Sequence, residues 1–170
     1  MTHPRVEQLR FARSEFVRGL DGLTEEVAGR RLGPMNSIGW MIGHMAWHEQ
    51  LYWLTRAQGM TPVPGLNDQV ASGAPASTPP LEEMWAAWRQ VTAAADTWLD
   101  GLTTQRLSDR PVLNTPSAQD FGTMLLRMTY HYFVHCGESS AVRQMVEGGE
   151  LPEFVGDIQD EAPWRAEPTS

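Results

Sequence analysis

One cysteine in 170 residues, Cys136, rules out an internal disulfide, and a lone thiol is most simply kept reduced in a cytoplasm. Clustered positive charge is equally scarce. The 13 Lys and Arg are outnumbered by 21 Asp and Glu, giving a formal charge of -8 and a pI near 5.0. Such a surface repels phosphate backbones, which argues against a nucleic-acid partner. Long apolar runs are missing too. The most apolar stretch, residues 38–54, is interrupted by His44, His48, Glu49 and Gln50, which argues against a membrane span. The opening "MTHPRVEQLRFARSEF" carries charges throughout and lacks the apolar centre of a signal peptide. No internal repeat and no sustained alternation at period two are visible. These absences leave the expectation of a cytoplasmic protein without strands.

What is present is bulk. Seven tryptophans and nine methionines supply large, adaptable core-filling side chains within an ordinary 41% apolar composition. A chain of this length matches one domain, residues 1–170, with a helical body over about 5–147 and a tail over 148–170. Val6, Leu9, Phe16 and Leu20 repeat at helical spacing, so the first helix runs from Pro4 to Leu20. Thr24 is placed to cap a brief turn carrying Glu25 and Glu26. A second helix begins after Asn36 or Ser37, is apolar around most of its circumference, and ends near Gln58 at Gly59. Residues 59–79 are rich in Gly, Pro, Ser and Ala and read as a long loop, of a kind that often covers a site. Thr78 opens a third helix anchored by Trp85, Trp88 and Trp98 and closed by Gly101. Ser117 and Asp120 have capping-box spacing for a fourth helix reaching about Val146. Four long helices give an all-α, four-helix bundle with a long loop between helices two and three.

Two histidine pairs carry the chemistry. Residues four apart on a helix differ by about 40° in azimuth and about 6 Å in rise, so His131 and His135 share one face, with Glu138 on the same stripe. The second helix repeats the device with His44 and His48. Inward imidazoles from two helices can share an ion, and three nitrogens plus a water form the open kind of site that a zinc or similar divalent ion uses catalytically. The same spacing also serves histidines that are merely hydrogen-bonded in a core. "HMAWHE" is not the zincin motif, because Met45 stands where that motif needs glutamate. Cys136 points about 100° away from His135 and reads as a packing residue. Gly39 and Gly43 read as places of close helix approach, and Arg143 as a tie between the last helix and a loop.

"NSIGWMIGHMAWHEQLYW" together with "YHYFVHCGESSAVRQMVEGGELPEFVG" resembles the DinB/YfiT-like superfamily of metal-dependent four-helix bundles. The resemblance extends over roughly residues 5–147. It implies that His44, His131 and His135 are the metal ligands, and it leaves His48 as an extra residue. His48 is then a group that hydrogen-bonds a ligand from behind, an alternative ligand, a proton carrier, or a buried polar residue bonded to Glu49 or water. Glu138 is a second candidate for orienting a ligand or its water. The superfamily includes enzymes related to mycothiol-dependent maleylpyruvate isomerase and to bacillithiol or mycothiol S-transferases. The implied cofactors are a divalent ion, zinc first with nickel, iron or manganese also accepted, and a low-molecular-weight thiol. The implied reaction is thiol transfer to a small-molecule electrophile or metal-assisted hydrolysis. A non-catalytic metal- or ligand-binding bundle is the rival, and a homodimer is left open.

Overall fold

The computed structural model describes residues 2–111 and 119–166, and all regular structure among them is helical. The first helix, α1 (Pro4–Gly19), starts with a proline in its first turn, where a missing N–H costs nothing, and the His3 ring accepts from the Arg5 N–H. α2 (Glu25–Gly29) is one short turn capped by the Thr24 hydroxyl, as its sequence predicts. α3 (Ile38–Glu49) is capped by Ser37, whose oxygen accepts from Trp40 N–H at 3.2 Å. It is buried around almost its whole circumference.

α3 does not end at Glu49. It continues as a π-helix over Gln50–Arg56, a departure that the apolar pattern does not reveal. The widened segment turns the Gln50 amide onto the following loop, where it donates to Val63 C=O at 3.0 Å and accepts from Val63 N–H at 2.7 Å. Gly59, at φ 73°, then stops the helix in the left-handed region that glycine tolerates.

The segment expected as a structureless loop contains a turn of helix, α4 (Leu66–Gln69), because Leu66 and Val70 have apolar side chains to bury. α5 (Leu81–Leu99) follows. Its expected cap at Thr78 is not used: Pro80 is the N-cap, and the Leu81 N–H is satisfied by the Glu25 carboxylate of α2 at 2.9 and 3.2 Å. A cap borrowed from another helix leaves no local sequence signature. A 3-10 turn over Gln105–Ser108 precedes α6 (Phe121–Val146), which is capped by Asp120 accepting from Thr123 N–H at 2.7 Å. Ser117 lies outside the described residues. No helix among them is long and apolar enough to cross a membrane.

α1 packs on α6, α3 on α5, and α3 on α6. A Cβ at Gly39 would lie 2.9 Å from Pro79 C=O, and one at Gly43 would overlap Met84 and press on Val70. The two glycines therefore let the 59–80 segment and α5 close onto α3, as the sequence suggests. The described part of the tail, residues 148–166, lies against the helical body. Gln8 donates to Ala162 C=O, Val155 N–H to Glu15 and Arg18 to Glu153 C=O, while Phe154 lies edge-on to Phe133 at 5.5 Å. It ends with α7 (Ile158–Glu161) against α1. Arg143 binds the carbonyls of Gly19 and Asp21 and so ties α6 to the end of α1.

One charged group spans the core. Arg13 of α1 forms a bidentate pair with Glu49 of α3, both bonds at 2.7 Å, and a third bond to Asp96 of α5. Tyr132 of α6 donates to Glu49 at 2.9 Å, and Trp88 donates to Tyr132 at 2.9 Å. Burial opposes the Arg13 charge, yet Glu49, by charge and hydrogen bond, more than restores it and holds the guanidinium protonated. Burial and the adjacent Glu49 carboxylate both push the Tyr132 hydroxyl above its ordinary range, so it remains a donor.

Candidate metal centre

α3 and α6 each turn a histidine pair toward the other. Ring centroids lie 5.1 Å apart for His44 and His131, 5.5 Å for His44 and His135, 4.6 Å for His131 and His135, and 4.7 Å for His48 and His131. One nitrogen from each of His44, His131 and His135 can be chosen so that all three lie within 4.8 Å of one another. Three nitrogens at about 2.1 Å from one tetrahedral ion stand about 3.4 Å apart, so this triad needs only small rotations to close.

Hydrogen-bond partners say which nitrogens are free. His44 Nδ1 lies 2.7 Å from Val70 C=O, and since a carbonyl only accepts, the proton is on Nδ1 and Nε2 keeps its lone pair. His135 Nδ1 lies 2.7 Å from Glu138 Oε2, close although not aimed along a straight hydrogen bond, which again puts the proton on Nδ1. His135 Nε2 then faces His131 Nε2 at 3.0 Å. The other nitrogen of His131 meets His48 Nδ1 at 2.7 Å. Without an ion, a proton on His131 Nε2 bridges to His135. When the His131 proton instead sits on Nδ1 and is donated in a hydrogen bond to His48 Nδ1, two lone pairs meet at 3.0 Å, an arrangement that a shared cation resolves. The donor set therefore fits a divalent ion, with a carbonyl, a carboxylate and an imidazole engaging the three outward nitrogens.

The electrostatics keep these donors available. Burial, followed by the charge of neighbouring imidazoles, lowers the pKa of His131 to about 3. Burial also lowers that of His44 to about 4, against the opposing effect of the Val70 hydrogen bond. Both rings are neutral at pH 7, as ligands must be. His48 is pushed down as well, by burial and then by His131. The His135 ring, ahead of an opposing desolvation effect, holds the Glu138 carboxylate below its ordinary range.

His44 is clamped between Trp40, stacked at 4.5 Å and 12°, and Trp47, stacked at 5.2 Å and 25°. The two tryptophans thus fix one ring of the triad as well as filling space. Of the alternatives for His48, the bond to Glu49 is not the one made. Glu49 is consumed by Arg13 and Tyr132, and His48 meets His131 across the helix interface. Glu138 lies against His135, as an orienting group would. Sequence reasoning missed the Val70 carbonyl and Tyr52, whose ring lies 4.3 Å from that of His48. The length of the 59–79 segment was the only pointer to Val70, and a backbone carbonyl has no residue signature. Cys136 is buried and its thiol is pushed up to about 12, chiefly by burial, so it is a packing residue rather than a nucleophile.

Residues 8–139 match the sequence profile of the DinB superfamily. Among solved structures, a conserved protein from Enterococcus faecalis is similar at 18% identity and a TM-score of 0.59, covering 85% of this chain and 96% of that one, a likeness of fold. No curated protein matches the chain. The profile spans most of the sequence and includes all three clustered histidines, and the chain belongs to the DinB superfamily.

Proposed function

We propose that this protein is a metal-dependent enzyme in which His44, His131 and His135 hold a divalent cation, zinc first among the candidates. The reading is carried by one observation: three buried or half-buried imidazoles from two helices bring nitrogens within 4.8 Å, with an outer nitrogen of each engaged by another group. When bound, the ion would supply a Lewis acid with an open position that lowers the pKa of a water or a low-molecular-weight thiol. The chain's own part is positioning. Val70 C=O sets the His44 tautomer, Glu138 lies against Nδ1 of His135 and orients that ring, and His48 accepts a hydrogen bond from the outer nitrogen of His131. Trp40 and Trp47 stack on the His44 ring and fix its plane. Cys136 and Tyr132 hold their protons at neutral pH, so the nucleophile comes from the bound water or thiol rather than from these side chains. The reaction classes that fit are thiol transfer to a small electrophile and metal-assisted hydrolysis.

The test begins with elemental analysis of untagged protein. A stoichiometric divalent ion is expected in the wild type and should be lost in His131→Ala. Turnover of monochlorobimane with low-molecular-weight thiols should then be metal-dependent and abolished in His44→Ala. A tightly held ion without turnover of any electrophile or ester would leave a non-catalytic metal-binding protein, and absence of an ion would remove the metal reading.

A further inference from the structure

The histidine stripes continue past the cluster, and both end in arginine. His44, His48, Tyr52 and Arg56 stand four apart along α3 and its π-helical extension, while Arg127, His131 and His135 stand four apart along α6. Because His44 lies by His135 and His48 by His131, the two stripes run in opposite senses. The next rung therefore directs Tyr52 and Arg56 toward the turn of α6 that carries Arg127. The Tyr52 ring packs on His48 at 4.3 Å, and the Arg56 guanidinium lies 5.3 Å from the centre of the Tyr52 ring. After burial and the neighbouring imidazoles, Arg127 and Arg56 are the charges that act on His48.

These two cations differ from most others in the chain. Six of the eleven other arginines, Arg10, Arg13, Arg18, Arg89, Arg143 and Arg165, are each matched to a carboxylate. Among the described residues, neither Arg56 nor Arg127 forms an ion pair; Arg127 is exposed and Arg56 half-buried. On a chain of net charge -8, these two guanidiniums put positive charge at one end of the cluster. The opposite end carries Glu138 against His135. The cluster is therefore polarised along the helix pair, with a carboxylate at one end and guanidiniums at the other.

We infer that the substrate is a small organic anion, whose carboxylate or phosphate group is held by Arg56 and Arg127 while its reacting end lies beside His44, His131 and His135. Guanidinium is suited to this task because its fork matches an oxyanion and it stays charged at any working pH. The inference rests on the metal reading above, and the experiment separates the two. Zinc uptake by the full chain is measured first. Affinities of the zinc-loaded protein are then compared for acetohydroxamate, which has no charged tail, and for the monohydroxamates of succinic, glutaric and adipic acid, whose carboxylate lies progressively further from the zinc-binding end. At least one tailed probe should bind about tenfold more tightly than acetohydroxamate, in line with a charge-assisted hydrogen bond. That gain should disappear in the double variant Arg56→Gln, Arg127→Gln, with zinc and acetohydroxamate affinities retained. A phosphonate-tailed hydroxamate in the same titration distinguishes phosphate from carboxylate as the favoured oxyanion. Zinc uptake with no gain from any charged tail, or a gain that survives the double variant, overturns this inference alone. Failure to take up zinc overturns the metal reading and this one with it.

Discussion

Two polar clusters lie side by side in the same core, built from neighbouring residues. His48 and Glu49 are consecutive on α3, and His131 and Tyr132 are consecutive on α6. Successive helical residues point about 100° apart, so each helix sends one member to each cluster. Glu49 and Tyr132 join Arg13, where opposite charges and matched donors leave nothing over. His48 and His131 join His44 and His135, where imidazole rings face one another and ring nitrogens converge. The first cluster is complete as folded, whereas the second has the donors to hold a cation. Burial alone distinguishes neither, since both are largely sealed from water. What separates them is whether the donors and acceptors balance.

That contrast can be broken from either side. The largest effect is expected from Arg13→Ala, which leaves the Glu49 charge buried and unmatched and should cost about 3–5 kcal/mol in denaturant unfolding. A loss below about 1 kcal/mol would show that the ion pair does not hold the helices together. Acid should act through the other cluster. His44 and His131 have folded-state pKa values of about 4 and about 3, below the unfolded value of about 6.5, so below pH 6.5 the unfolded chain binds more protons. Metal-free protein should therefore lose about 1.4 kcal/mol per pH unit for each of these rings as pH falls from 6.5 toward 4, and regain it as pH rises. Denaturation midpoints that stay flat over that interval would contradict neutral burial of the rings.

Smaller effects sharpen the division of labour. Glu138→Gln should weaken zinc binding by about 10-fold to 100-fold in a competitive chelator titration, because the carboxylate supports His135, while leaving the unfolding midpoint nearly unchanged. Cys136→Ala should change neither zinc affinity nor turnover and should lower stability by about 1 kcal/mol through lost packing. A fall in turnover there would reopen a role for the thiol.

Much of this arrangement was legible in the order of residues. Helix starts at Pro4 and after Ser37, the stop at Gly59, and the tight seams at Gly39 and Gly43 follow from short-range rules that act wherever these residues stand. The pairing of His44 with His48 and of His131 with His135 on common faces follows from the helical repeat. What could not be read depends on residues far apart in the chain. Glu25 capping Leu81, Arg13 claiming Glu49, and Val70 C=O fixing His44 each join separate elements. The π-helical step at Gln50 arises with a partner 13 residues on.

The sequence by itself determined the long helices and which of their side chains share a stripe, because rise and rotation per residue are properties of the backbone. Tertiary structure alone decided that His48 meets His131 rather than Glu49, that Arg13 pairs with Glu49 in one buried cluster, and that the other brings nitrogens of His44, His131 and His135 within 4.8 Å of one another. Those outcomes depend on how helices are rotated and offset against one another, and that is set by the packing of the whole core.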